Sequence, residues 1–140
     1  MNSYLEKNPK NAKITFLLGK YYKKIKDWQS LINTYQLFIQ GDLDADSSPK
    51  MKNRIFQDMG TACAILGKNE TAIRLLSILS RLESENAEVA YYLAMASYKQ
   101  GKRSEAAVII DKAKKLRNKT KSLEKQIDDL AQTIRSGTPL

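Results

Sequence analysis

Residues 57–113 read QDMGTACAILGKNETAIRLLSILSRLESENAEVAYYLAMASYKQGKRSEAAVIIDKA, and this stretch matches itself after a shift of 34 residues. The shift places Gly60 on Ala94 and Gly67 on Gly101, so small residues recur at the same two points of each copy. A fixed period of this length is typical of helix pairs that cannot bury their apolar faces alone and must stack on one another. The stretch therefore predicts two consecutive helical-pair units.

A third unit precedes this stretch. Gly19 aligns with Gly60 at a distance of 41 residues instead of 34, and the run from Gly41 to Ser48 accounts for the extra length as an inserted turn. In the first helix of this unit, apolar residues at three- and four-residue steps predict one buried face made of Ile14, Leu17, Leu18, Tyr21 and Tyr22. In the second helices of units two and three, the apolar face predicted from the same spacing includes Ile78 and Val108.

The repeat pattern stops after Lys114. A narrow apolar stripe follows, on a helix whose other positions are charged: Leu116, Leu123, Ile127, Leu130 and Ile134. The end of a stack of helix pairs exposes apolar surface that must be covered, so a cap on the third unit explains this helix most simply. A coiled-coil dimer seam is the alternative, and fewer than three heptads are short for one.

The predicted organisation follows from these features. In chain order, the expected segments are 1–10, the end of a preceding repeat or an N-terminal cap; 11–41, repeat 1; 42–48, an acidic inserted loop; 49–84, repeat 2; 85–117, repeat 3; 118–135, a capping helix; and 136–140, a tail.

Composition excludes most enzyme classes. The chain has 140 residues with 42% apolar content, no histidine and a single cysteine, Cys63. A zinc site, a Cys–His or Ser–His nucleophile system and an internal disulfide are therefore excluded. Paired carboxylates and a phosphate-binding glycine loop are also missing, so we expect no enzyme and no cofactor.

The acidic loop raises a metal-binding alternative. Asp42, Asp44 and Asp46 alternate as the carboxylates of a calcium loop do, but the central glycine and distal glutamate of an EF-hand loop are missing. A solvated loop is the simpler explanation, and no metal is expected.

The apolar runs are far shorter than the roughly 20 residues that span a bilayer, so we expect a soluble, unprocessed, cytoplasmic protein without membrane insertion.

Short motifs recur at matching positions of the three units. They are Leu18-Gly19-x-x-Tyr22, Met59-Gly60-x-x-Cys63 and Leu93-Ala94-x-x-Ser97, followed in the second helices by Leu31 and Tyr35, by Ala72 and Leu76, and by Ala106 and Ile110. This pattern resembles the tetratricopeptide repeat over the 105 residues from Ala12 to Leu116. It departs from the family at Thr15, Phe56 and Ala90, where tryptophan is usual, and at Leu31, where alanine is usual.

The resemblance implies a fold and a binding surface. The expected fold is all-α, a right-handed α-solenoid of antiparallel helix pairs with about seven helices. Its concave face, lined by the first helices, grips a peptide or a helix of a partner in this family. Carried over position by position, that face comprises Lys13, Phe16, Lys20, Lys23, Lys24, Arg54, Gln57, Thr61, Ile65, Glu88, Tyr91, Met95, Tyr98 and Lys99.

The expected partner is a protein. The concave set is basic in unit one and aromatic, with Met95, in unit three, which suits an acidic segment with an apolar anchor. A subclass of the family holds the C-terminal carboxylate of heat-shock chaperones with basic and amide residues. The matching positions here are Phe16, Lys20, Asp58, Glu88 and Tyr92, of which one is basic and two are acidic, so chaperone tails are not expected as ligands.

The function expected from the sequence is an adaptor or scaffold. A small chaperone of a bacterial secretion system is an alternative within the same class. A nucleic-acid-binding helical repeat is a further alternative, because the net charge is +9 and basic residues cluster at Lys112, Lys114, Lys115, Arg117, Lys119, Lys121 and Lys125. That cluster lacks interleaved aromatic residues, which weighs against it.

Overall fold

The computed structural model describes residues 12–40 and 49–140. The segment 1–10, predicted as the end of a preceding repeat or an N-terminal cap, and the predicted acidic loop at 42–48 lie outside the described residues. Residues 12–40 and 49–140 form seven helices and no strand, which confirms the all-α prediction. The helices are α1 (Ala12–Lys24), α2 (Trp28–Gln40), α3 (Pro49–Leu66), α4 (Asn69–Leu82), α5 (Ala87–Lys99), α6 (Arg103–Lys114) and α7 (Lys121–Ser136).

The helices pack in chain order. Each contacts the next one along the chain, and in addition α1 contacts α3, α3 contacts α5, and α5 contacts α7. Helices α1, α3, α5 and α7 thus form a continuous row, while α2, α4 and α6 each pack against two neighbouring members of that row. This is the connectivity of stacked helix pairs.

The turn inside each pair is built in the same way three times. In each unit a backbone N–H donates to the carbonyl five residues earlier: Asp27 N to Tyr22 O at 2.9 Å, Lys68 N to Cys63 O at 2.8 Å, and Lys102 N to Ser97 O at 2.9 Å. This bond requires a left-handed residue in the turn. Gly67 and Gly101 take that role with φ of 83° and 88°, and Lys26 takes it with φ of 60°.

Side-chain caps start the helices where the sequence has Asp, Asn or Thr. Asp27 accepts from the backbone N–H of Ser30 at 3.2 Å, and Asn86 accepts from that of Val89 at 3.2 Å. Thr120 accepts from the N–H of Leu123 at 3.1 Å and so begins α7. Each cap satisfies one of the amides that a helix start leaves without an internal partner.

The core consists of two clusters. The first spans α1 to α5 and contains Leu31, Tyr35 and Leu76. The second joins α5, α6 and α7 through Ile110 and Ile127, among others. The core also takes up Cys63, and burial raises the pKa of its thiol.

Helix α7 closes the C-terminal side of the stack. Ile127, Leu130 and Ile134 are buried against α5 and α6. Arg103 of α6 donates from Nε to the carbonyl of Ile134 at 2.8 Å and from Nη2 to that of Arg135 at 2.7 Å. The outward positions of this helix are polar, so α7 covers the apolar surface of α6 and presents a wettable surface in its place.

The structure corrects four predicted core positions. Leu17 and Tyr21 of α1 are 57% and 48% exposed, and Ile78 and Val108 are also exposed. Apolar periodicity shows which face of a helix is apolar, but the face is buried only where a neighbour covers it. Among the described residues, no helix is long and apolar enough to cross a membrane, and no group of three or more potential ligands could hold a metal ion.

Candidate peptide-binding groove

A groove of about 880 Å³ opens along α1 and α3. Its first wall comes from α1, its second from the first half of α3, and one end is closed by the turn between α4 and α5. Its lining residues are Phe16, Lys20, Lys23, Lys24, Lys50, Met51, Arg54, Gln57, Asp58, Glu83 and Asn86. We call this cavity the groove.

Positive charge dominates the groove. Five of its lining residues are cations and two are carboxylates; the cations are Lys20, Lys23, Lys24, Lys50 and Arg54. All of them except Lys23 are exposed to solvent. A concave surface lined by one sign of charge raises the local concentration of ligands of the opposite sign. The groove therefore presents a predominantly positive surface.

Two apolar side chains lie among these cations. Phe16 and Met51 are partly buried and line the groove from α1 and α3. The ammonium of Lys20 lies 5.7 Å from the centre of the Phe16 ring, which is within the range of a cation–π contact. The groove thus offers apolar contact area next to charge.

A buried carboxylate organises the cations. Asp58 is only 2% exposed, and its Oδ1 lies 3.1 Å from the Lys23 ammonium and 3.8 Å from Nε of Arg54. The same ammonium lies 3.9 Å from Oε1 of Glu88, so Lys23 of α1 contacts carboxylates on both α3 and α5. Because a buried carboxylate is costly without partners, these two cations are held at the floor and rim of the groove.

Comparison with known proteins shows the fold. No family model and no curated protein matches the sequence. Among solved structures, the TPR2B domain of yeast Sti1, in its complex with pHsp70, matches with a TM-score of 0.70 and 18% identity over 90% of this chain and 97% of that one. Two crystal structures of MamA match with TM-scores of 0.68 and 0.69 and identities of 18% and 20%, covering 96% and 94% of this chain and 82% and 72% of theirs.

The chain has the fold of a tetratricopeptide-repeat domain. The all-α solenoid expected from the 34-residue period is thereby confirmed. The repeat limits and the contact residues stay predictions, because shared fold at this level of identity does not transfer a ligand.

The row of first helices places six of the fourteen predicted contact residues together at the groove. Lys20, Lys24 and Arg54 stand on the rim, and Phe16, Lys23 and Gln57 also line the groove. Lys13 lies in α1, but its side chain falls outside the described part of the structure. The remaining predicted residues, which come from the second half of α3 and from α5, do not line this cavity.

The structure corrects the surface placement of several of these residues. Thr61 is 2% exposed, because α3 is packed by α2, α4 and α5, and Tyr91 is 8% exposed in the second core cluster. Tyr98 is partly buried, and its hydroxyl donates to the carbonyl of Thr138 at 2.5 Å; Lys99 stays exposed, and its ammonium donates to the carbonyl of Ala64 at 3.3 Å. Met95 packs on the second cluster.

For Tyr91 in unit three, the physical reason is the C-terminal helix, α7. The resemblance takes each of these positions as open to a ligand, whereas α7 packs on α5 and Tyr91 is buried in the second core cluster between them. Burial raises the pKa of Tyr91, with a smaller contribution from Asp129 of α7. Burial also raises the pKa of Tyr92 to about 12, helped by Glu88 and Tyr91, so both phenols stay neutral at physiological pH.

The predicted contact face did not include Lys50, Met51, Glu83 or Asn86, which also line the groove. Lys50 and Met51 lie one helical turn before Arg54, on the same side of α3. Extending the contact face one turn toward the helix start at Pro49 would have found them. Glu83 and Asn86 carried no signal, since both lie in a turn whose position depends on how α4 meets α5. Asn86 Nδ2 donates to Oε1 of Gln57 at 3.0 Å and thereby joins that turn to α3.

Replacing Asp58 by asparagine is expected to change stability and binding in opposite directions. Losing the carboxylate leaves Arg54 without this counterion and Lys23 with Glu88 alone, which should lower the free energy of unfolding by about 1–2 kcal/mol, since both cations are partly solvated. It also removes one negative charge from the groove, so binding of an acidic peptide should tighten by about threefold. Urea unfolding and peptide titration measure the two effects.

A matched control is available on α6. Asp111→Asn removes an exposed carboxylate remote from the groove and should change neither quantity. If Asp58→Asn instead weakens binding of the acidic peptide, Asp58 contacts the ligand directly, and the positive charge of the groove does not select acidic segments.

Proposed function

We propose that this chain is a protein–protein interaction module whose groove holds an acidic peptide or helix by one apolar anchor. The observation that carries the proposal is the combination of five cations with Phe16 and Met51 around a cavity of about 880 Å³. Lysine and arginine side chains on the rim give long-range attraction and fast association. Apolar anchors in a desolvated pocket give most of the contact energy, on the order of 2 kcal/mol for each well-buried side chain.

The proposal gives the chain no catalytic activity. The sequence has no histidine, and its single cysteine, Cys63, is buried in the core. The groove supplies binding groups but, within the described residues, no nucleophile next to a base.

Because the Sti1 domain is in complex with pHsp70, a chaperone segment is the first candidate ligand for this chain. The arrangement of charge disfavours it. Of the positions that match the carboxylate-holding set, Asp58 and Glu88 are acidic, and both lie within 4 Å of the Lys23 ammonium, with Asp58 at 3.1 Å and Glu88 at 3.9 Å. We propose that internal acidic segments, rather than chaperone tails, are bound.

In the basic cluster near the C-terminus, at least one residue, Lys119, makes contacts within the fold. The Lys119 ammonium donates to the carbonyls of Ala113 at 3.1 Å and Lys114 at 2.5 Å, at the end of α6. A cation there satisfies carbonyls that the helix leaves without partners. This supports a structural role for Lys119 and leaves the groove as the stronger candidate for ligand binding.

A displayed library of random peptides tests the proposal. The wild-type chain is expected to enrich peptides that carry several Asp or Glu residues around one aromatic or aliphatic residue. Lys20→Glu combined with Lys24→Glu should lower the affinity for the leading peptide by about 100-fold, and added salt should weaken wild-type binding. Both lysines are exposed, so the double variant should keep its helicity.

The matched control carries the same change of charge elsewhere. Lys112→Glu combined with Lys115→Glu alters two exposed lysines at the end of α6 and should leave the affinity within about twofold of wild type. Enrichment of neutral or basic peptides, or equal losses in the two double variants, would refute a groove that selects acidic ligands. Retained tight binding of labelled single-stranded RNA at physiological salt, lost only in the control variant, would instead support the nucleic-acid alternative.

A further inference from the structure

Helix α1 carries an apolar strip that no described residue covers. Leu17 is 57% exposed, Tyr21 is 48% exposed and Ile25, just past the helix end, is 50% exposed. These three residues are spaced four apart and therefore lie on one side of the chain, almost in line. We call Leu17, Tyr21 and Ile25 the ridge. Three large, half-exposed apolar side chains in a row are more than the scattered apolar exposure of an ordinary surface.

The internal repeat shows what this surface does in the other units. A shift of 41 residues places Tyr21 on Ala62, and a further shift of 34 places it on Ala96. Both alanines are 0% exposed, because the unit before them packs on that side. Tyr21 therefore occupies the position at which units two and three are packed against the first core cluster, whereas Leu66 and Gln100, which match Ile25, are exposed.

Tyrosine changes what this surface can accept. The small side chains of Ala62 and Ala96 allow the preceding unit to approach closely, whereas Tyr21 holds a neighbour at a greater distance. A further unit of the same kind would not fit against the ridge as units one and two fit against their successors. The ridge instead suits a single helix or peptide that can pack around a projecting aromatic ring.

The ridge is continuous with the groove around the circumference of α1. At 100° per residue, Lys24 falls between Lys20, on the groove wall, and Leu17, on the ridge. A bound chain that leaves the groove past Lys20 and Lys24 therefore meets the ridge next. The charges of these two lysines lie along the border of the apolar strip.

We infer that the ridge is the second half of a docking surface that receives an amphipathic helix continuing from the acidic segment in the groove. This inference rests on the proposed function and specifies its partner further. The occupant carries apolar residues three and four apart against Leu17 and Tyr21, and acidic residues on the flank that faces Lys20 and Lys24. A second copy of this chain fits less well, since pairing ridge with ridge would bring the lysine borders of the two copies together.

Two fluorescent peptides test the inference. The first is the leading acidic peptide from the displayed library, and the second is the same peptide lengthened by an amphipathic helix with leucines three and four residues apart. The wild-type chain is expected to bind the lengthened peptide about tenfold more tightly than the short one. Leu17→Ser combined with Tyr21→Ser should abolish that gain while leaving the affinity for the short peptide unchanged.

The control variant changes exposed apolar residues away from the groove. Ile78→Ser combined with Leu82→Ser on α4 removes side chains that are 52% and 64% exposed, and should keep the tenfold gain. All variants can be checked for helicity by circular dichroism.

Three outcomes would overturn the inference. The first is that the extension gives the wild-type chain no gain, and the second is that the gain survives in the ridge variant. The third is a dimer of the wild-type chain in sedimentation that the ridge variant abolishes, since a second copy would then occupy the ridge. In all three, the short peptide still binds and the proposed function stands. If the wild-type chain binds the short peptide no more tightly than the Lys20→Glu, Lys24→Glu double variant does, the proposed function fails and the inference fails with it.

Discussion

Replacing Gly19 by alanine is expected to lower the free energy of unfolding by about 2–3 kcal/mol, although alanine is the better helix former. The reason is the close approach of α2. A Cβ at this position would lie in hard contact with the hydroxyl and ring of Tyr35, with Cε1 of that ring at 2.6 Å. Tyr35 is 0% exposed, so its ring has no free space into which it can move. The α1–α2 crossing would have to open.

Urea unfolding of a small set of variants isolates this effect. Gly60→Ala brings the new Cβ to 2.7 Å from Cδ2 of Leu76, a flexible aliphatic side chain, and should cost less than Gly19→Ala. Tyr35→Leu should restore part of the loss when it is combined with Gly19→Ala, so the double-mutant cycle should show favourable coupling. A Gly19→Ala variant as stable as wild type would mean that α1 and α2 do not cross at this point.

Tyr35 also carries an electrostatic consequence. Burial raises the pKa of its phenol, and the charge of Asp58 raises it further. The phenol therefore stays neutral well above physiological pH, and Tyr35 acts as a packing residue between Gly19 and the floor of the groove. Damage at Gly19 is expected to reach the ligand site by this route, so Gly19→Ala should also weaken peptide binding.

Removing α7 by ending the chain after Lys119 should destabilise unit three so far that α5 and α6 lose protected structure. Helix α7 buries Ile127, Leu130 and Ile134, and each fully buried aliphatic side chain contributes roughly 1.5–3 kcal/mol. Their sum is comparable to the whole stability of an ordinary domain, about 5–15 kcal/mol. Its loss also bares Tyr91 and Ile110, which are now buried.

Hydrogen exchange resolved along the sequence measures this loss. The amides of α5 and α6 should exchange at close to unprotected rates in the truncated chain, whereas those of α3 should keep part of their protection. Ending the chain after Thr138 removes only Pro139 and Leu140, both exposed, and serves as the control. Leu130→Ala, expected to cost about 2–4 kcal/mol, covers the case in which the truncated chain is insoluble. Full protection of α5 and α6 without α7 would show that the third unit folds without a cover.

The periodic features of the fold could be predicted from the sequence. The 34-residue period, Gly67 and Gly101 located the units and the turns, because a left-handed residue at a helix end is a local requirement. The same turn in unit one was less visible. Lys26 holds the left-handed backbone there, and no glycine marks the position.

The candidate site was predictable only in part, for reasons of burial. Phe16, Lys20 and Arg54 follow from helical spacing alone, whereas the burial of Tyr91 depends on α7, which lies outside the repeat. Asp58 would be expected on a surface, and its burial is stabilised by Lys23, 35 residues earlier on another helix. Spacing within one helix carries no information on such a partner.

The polar outer side of α7 gives the molecule a direction. Glu124, Asp128 and Arg135 face water there, while the opposite terminus of the stack shows Leu17 and Tyr21. A partner that binds through apolar contacts therefore meets two chemically different surfaces, and it should favour the side formed by α1 over the side formed by α7.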